Sequence, residues 1–150
     1  ERDVAPYSPD LVVVSFGLND ACGGEDKLND YKNALRSIFN KVREIGAECI
    51  FVFQNVMNTK VSPHLKDERE KNLAGFFAGV QNNGVVDLYY EAAKEEAEKS
   101  GVKYCDIYSA WKKMQNGGID TTELLANRYN HPEREFHYYI AIKIIENIFD

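Results

Sequence analysis

Residues 11–20 read LVVVSFGLND, and the first six of them decide the fold class. Leu11 to Phe16 is a nearly unbroken apolar run, rich in β-branched residues and entered through Ser8-Pro9-Asp10. A strand with one face in water alternates apolar and polar residues. A continuous apolar run belongs instead to a strand covered on both faces, as in a parallel sheet flanked by helices. Downstream of a Gly-containing loop at 19–26, apolar residues recur at Leu28, Tyr31, Leu35, Ile38, Phe39, Val42 and Ile45. Steps of three and four define one helical face, and Gly46 is placed as its stop.

The rest continues the alternation. Cys49 to Phe53 reads as a second strand, followed by a long loop from Gln54 to about Lys66. A helical region from Asp67 is interrupted at Asn82-Asn83-Gly84 and resumes over Val85 to Lys99, with Gly101 ending it. Val102 to Ile107 reads as a third strand, leading into a short helix over Ser109 to Met114. Residues 115–132 are loop-rich, with a short helix begun at Asp120-Thr121-Thr122-Glu123. The last helix is predicted from Pro132 to Phe149, with Phe136, Ile140, Ile144 and Ile148 at four-residue steps and Pro132 in its first turn. Strand, helix, strand, helix, strand, helix predicts an α/β fold: a parallel sheet with helices on both faces. With no internal repeat or linker, residues 1–150 read as one domain.

Composition narrows the function classes. A net charge of -6 with no basic stripe argues against nucleic acid, since phosphate binding needs clustered Lys and Arg. Basic residues are interleaved with acidic ones, as in Lys94-Glu95-Glu96 and Glu98-Lys99, which reads as a solvated helix face. Cys22, Cys49 and Cys105 lie far apart and form no zinc spacing; Cys49 and Cys105 sit in apolar runs and read as packing residues. No cofactor is expected, no His/Asp/Glu cluster has metal-ligand spacing, and no apolar run is long enough for a membrane span.

Open parallel sheets bind their ligands beyond the carboxyl ends of the strands. Two segments belong there: Gly17-Leu18-Asn19-Asp20 after the first strand, and Asn130-His131-Pro132 before the last helix. Taken alone, the first also reads as a turn and the second as a helix start with a satisfied histidine. Together, in this order, they mark one site. His64, beside Pro63, reads as a solvated loop histidine. His137, six residues beyond His131, reads as packing near the helix start, and Trp111 with Tyr89-Tyr90 as helix packing.

On those two motifs the sequence resembles the SGNH hydrolases, the GDSL-like lipases and acylhydrolases. That family carries a strand ending in Gly-x-Asn-Asp, as in Gly17, Leu18, Asn19 and Asp20, and a histidine before its final helix, as in Asn130-His131-Pro132. The Asn-His-Pro form is similar to the branch of carbohydrate-active esterases. The resemblance implies a three-layer α/β/α, flavodoxin-like sheet and a serine ester hydrolase working through an acyl-enzyme on a small ester or acylated carbohydrate. It implies that Asn19 donates to the oxyanion and that His131 is the general base. Gly17 would let the backbone turn beneath the site, with Asp20 bracing the loop and Asn130 in support.

Two departures stand out. The family's Gly-Asp-Ser is absent, and Ser8, Ser15, Ser37, Ser62, Ser100 and Ser109 lack its context; Ser15 reads as lying inside the strand. The family's aspartate three residues before the histidine is replaced by Arg128, with Asn127, Asp120 and Glu123 nearby. The expectation is therefore a chain lacking the first strands of the sheet, with residues 11–16 left open to an N-terminal segment or a complementing chain that carries the serine. The same two absences leave an alternative: a non-catalytic, degenerate hydrolase domain used for ligand binding or assembly. A flavodoxin-like phosphate binder is disfavoured, because no Gly-rich loop follows any strand.

Overall fold

The opening apolar run forms β1 (Leu11–Val14), the first of three parallel strands. β2 (Glu48–Phe53) and β3 (Lys103–Asp106) complete the sheet in the order β1-β2-β3, with Val13 beside Ile50 and Val52 beside Cys105. The computed structural model describes residues 2–149. The helices are α1 (Leu18–Ala21), α2 (Leu28–Glu44), α3 (Glu68–Asn82), α4 (Val85–Ser100), α5 (Ile107–Asn116) and α6 (Arg134–Phe149). None of them is long and apolar enough to cross a membrane.

Alternation along β2 separates the layers, because successive side chains leave a strand on opposite faces. Phe51 meets Phe39 of α2 edge-on at 5.8 Å, and Phe53 meets Tyr90 of α4 at 4.7 Å. Ile50 and Val52 point to the other face, where α5 and α6 pack. The result is the three-layer α/β/α arrangement of a parallel sheet covered on both sides. Gly46 and Gly101 follow α2 and α4 in left-handed turns, φ 77° and 65°, and lead straight into the amino ends of β2 and β3.

β1 is an edge strand: among the described residues β2 is its one neighbour. Val13 shares a face with Ile50, yet Val13 is 44% exposed and Ile50 only 3%. α6 thus covers β2 and β3 but stops short of β1. An apolar trough of about 580 Å³ runs along this edge, lined among others by Val12, Val13, Phe16, Ile38 and Ile45.

Several boundaries differ from the sequence reading, each for a local reason. β1 ends at Val14, so Ser15 lies past the strand and donates its hydroxyl to the Val52 carbonyl at 3.2 Å. β3 runs directly into α5, because the Asp106 carboxylate accepts the Ser109 N–H at 2.9 Å and caps the helix. α6 begins at Arg134, since Pro132 is held extended in an antiparallel bridge to Leu125. Within α6, Phe136, Ile140 and Ile144 pack on the core, whereas Ile148 is 43% exposed. Four-residue steps outrun a 3.6-residue turn, so each one rotates the side chain further from the buried face.

Glu96 departs from the solvated face read for its segment. It is fully buried and receives both arms of Arg36 at 2.9 and 3.0 Å, joining α2 to α4. A planar guanidinium matches a carboxylate in this two-bond geometry. Tyr89 and Trp111 are core residues, in keeping with their reading as helix packing, Tyr90 is half-buried, and Cys105 is buried, but Cys49 is only half-buried.

Candidate active site

Where β1 ends, the chain reverses sharply at Gly17, whose φ is 139°. A Cβ there would lie 2.9 Å from the hydroxyl of Tyr31. That hydroxyl, carried on α2, donates to the Phe16 carbonyl at 3.1 Å. Burial, helped by the nearby Asp20 charge, pushes the Tyr31 phenol well above its usual range, so it stays a neutral donor. From the other side, Oε1 of Gln54 at the end of β2 accepts the Leu18 N–H at 3.2 Å. Tyr31 and Gln54 therefore grip the turn that presents Asn19. Asp20 does not brace it through its side chain: among the described residues its carboxylate makes no hydrogen bond, and it is its main-chain carbonyl that accepts, from Gly23 at 2.9 Å and from Cys22.

Gly17→Ala meets both a forbidden backbone angle and the Tyr31 hydroxyl. A stability loss of about 2 kcal/mol is expected. Thermal denaturation should show it as a melting temperature roughly 6 °C lower.

The second segment folds as a closed loop. The Asn127 side-chain oxygen accepts the N–H groups of Tyr129, Asn130 and His131. Arg128 takes a left-handed conformation, φ 63°, and its guanidinium donates to the carbonyls of Glu123 and Leu125 and to the Glu133 carboxylate. The position that matches the family's acid is thus a buttress of the loop. The nearby acids are engaged elsewhere: Asp120 with Lys60 at 2.5 Å, and Glu123 with the Ser62 hydroxyl at 2.8 Å. Among the described residues the His131 imidazole makes no hydrogen bond, and His131 is exposed.

Both segments open onto one cleft of about 350 Å³ at the carboxyl ends of the strands. Asn19 and His131 lie on its wall with Gln54, Asn55, Asn130 and His137. The floor is apolar, formed by Leu18, Val52, Phe53, Ile107, Pro132 and Ile140. An asparagine and a histidine on the wall of one concave, half-apolar space suit acid–base work on a neutral, polarisable bond. Ser15 also reaches this wall, its hydroxyl engaged by Val52.

Three cleft residues escape the sequence reading. His137 is exposed and lines the cleft instead of packing, because His131 precedes the helix and helical-face arithmetic does not relate the two. Gln54 and Asn55 follow β2 directly, and that position was the available signal, since sites gather beyond strand ends. His64 lies apart, its side chain 71% exposed and 3.6 Å from Glu123. Among the described residues, no group of three or more His, Cys, Asp and Glu side chains is placed to hold a metal ion.

Comparison with known proteins bears on the fold and the family. The chain shares the fold of the acetylxylan esterase Axe2 from Geobacillus stearothermophilus, at 19% identity and a TM-score of 0.67. LAE5, an α/β hydrolase enzyme from the metagenome of Lake Arreo, is similar at 18% identity and a TM-score of 0.67. A putative GDSL-like lipase from Parabacteroides merdae is similar at 14% identity and a TM-score of 0.72. Each match covers 97% of this chain and 62% of the other, so the chain spans under two thirds of their length. No curated protein matches. The family model of the GDSL-like lipases and acylhydrolases matches residues 1–138. The chain belongs to the GDSL-like lipase/acylhydrolase family.

Proposed function

We propose that this chain supplies the general base and an oxyanion donor of a serine ester hydrolase, its nucleophile carried on a Gly-Asp-Ser segment outside these 150 residues. One observation supports the reading: Asn19 and His131 line the same cleft. In the reaction, the serine oxygen attacks the ester carbonyl while His131 accepts its proton. The carbonyl oxygen becomes an oxyanion and receives the Asn19 N–H. Collapse breaks the ester C–O bond, and His131 returns the proton to the leaving alcohol. Water, deprotonated by His131, then releases the acyl group as the acid and restores the serine.

The bare edge of β1 supports a segment in trans or in cis. It offers unpaired main-chain groups beside an apolar trough, which is what an incoming parallel strand covers. Tyr138, Ile142, Ile145 and Phe149 form a second, outward stripe on α6, exposed by 43–83% in the company of Ile148, which suits a helix following that strand. The substrate class favoured is an acylated carbohydrate. Side-chain amides of Asn19, Gln54, Asn55 and Asn130 ring a cleft large enough for an acetyl group and part of a sugar, and the Geobacillus neighbour is an acetylxylan esterase.

A non-catalytic role is the second reading, favoured by an imidazole to which, among the described residues, no acid is bonded. A fluorophosphonate probe separates the two. Covalent labelling of the protein carrying the Gly-Asp-Ser segment, with acetate release from acetylated xylooligosaccharides, is the expected result. Absence of labelling and of acetate release would discredit the hydrolase reading.

A further inference from the structure

We propose that Asn127 is the positioning residue for His131, holding it through the main chain where the imidazole has no acid to hold its ring. The proposal rests on His131 acting as the general base. Three consecutive N–H groups, of Tyr129, Asn130 and His131, converge on Oδ1 of Asn127 at 3.2, 3.0 and 3.0 Å. The carbonyls of the same residues are bonded as well. That of Tyr129 accepts the Asn58 N–H at 2.9 Å, that of Asn130 accepts Nδ2 of Asn55 at 3.0 Å, and that of His131 accepts the Ala126 N–H at 2.7 Å. All six main-chain polar groups of residues 129–131 are thus satisfied within the protein, in a loop whose last residue is exposed.

The Asn127 amide cannot be reversed. Its Nδ2 donates to Oδ1 of Asn130 at 2.7 Å, and three N–H donors on the opposite side require an oxygen. The cradle is itself anchored by Arg128 on the Glu123 and Leu125 carbonyls and by the Leu125–Pro132 bridge. A general base must hold its reacting nitrogen within a fraction of an ångström of the proton it removes. With no hydrogen bond on the ring among the described residues, that placement falls to the backbone of His131, and half of the bonds fixing this stretch end on one oxygen of Asn127.

The test compares Asn127→Ala and Asn127→Asp in the protein carrying the Gly-Asp-Ser segment. It reads p-nitrophenyl acetate kinetics, amide hydrogen exchange and thermal melting. In Asn127→Ala the amides of Tyr129, Asn130 and His131 should exchange at least about tenfold faster. Its kcat should fall about 30-fold with KM within about twofold, the mark of lost positioning without lost binding. Asn127→Asp keeps the accepting oxygen, and with the Asn130 amide turned to donate to its second oxygen it should restore both the protection and most of kcat. Should Asn127→Ala not fold, Asn127→Ser, whose hydroxyl reaches fewer of the three donors, should show the same split in smaller measure. Parental kcat in Asn127→Ala alongside faster exchange overturns the proposal, as does a loss that Asn127→Asp leaves unrepaired. An inactive, unlabelled parent sinks the hydrolase reading instead, and unchanged exchange in Asn127→Ala then overturns the cradle independently.

Discussion

His131→Ala, in the protein that carries a Gly-Asp-Ser segment, should lower kcat for p-nitrophenyl acetate by on the order of 10,000-fold. That corresponds to about 5.5 kcal/mol of transition-state stabilisation. The size follows from the double duty proposed for the imidazole, to take the serine proton and return it to the leaving alcohol. Without it, attack must begin from a neutral hydroxyl with a pKa far above the working pH. KM should move little, because the proton is transferred only in the transition state. Folding should be spared: His131 is exposed and its ring makes no hydrogen bond among the described residues, so the melting temperature should match the parent's. A variant retaining a tenth or more of the parental rate would remove His131 from the mechanism.

Asn19→Ala should lower kcat about 100- to 1,000-fold, again with KM close to the parent's. The amide gains its partner only when the carbonyl oxygen acquires charge, so its loss is felt in the transition state. Asn19→Asp should be the more damaging, because a carboxylate facing the cleft repels the oxyanion it replaces a donor for. Neither change should lower stability much, since Asn19 is exposed and it is its main-chain carbonyl that accepts a hydrogen bond, from the Cys22 N–H at 3.2 Å. Steady-state kinetics on p-nitrophenyl acetate measures both. Wild-type kcat in Asn19→Ala would place the oxyanion elsewhere.

The features legible in the sequence are those whose cause is local. Leu11 to Val14 announces a strand of a parallel sheet because β-branched residues crowd one stretch, although its Val13 face, expected to be covered, is left open here. The α2 face announces itself through its period, and Gly17 through the need of a turn for a residue without a Cβ. The two motif segments could be paired because an α/β sheet sends all its strand ends to one rim. What stayed hidden depends on contacts distant in sequence. Glu96 looks like its solvated neighbours until Arg36, sixty residues away, neutralises it. Arg128 stands where an acid was awaited, and its use becomes intelligible only once the carbonyls of Glu123 and Leu125 converge on it. Pro132 fits a helix start by propensity, and a single bridge to Leu125 overrides that preference. The role of His137 depended on where α6 begins, which the same bridge decides.

The left-handed turns at Gly46 and Gly101 have a practical consequence. Both sit at the amino ends of β2 and β3, a sheet's length from the cleft, and a Cβ at either would meet nothing within 4 Å. These two corners therefore form the pole opposite the cleft, where a peptide tag or reporter loop that keeps the glycine turn would be spliced in at the greatest remove from the far rim.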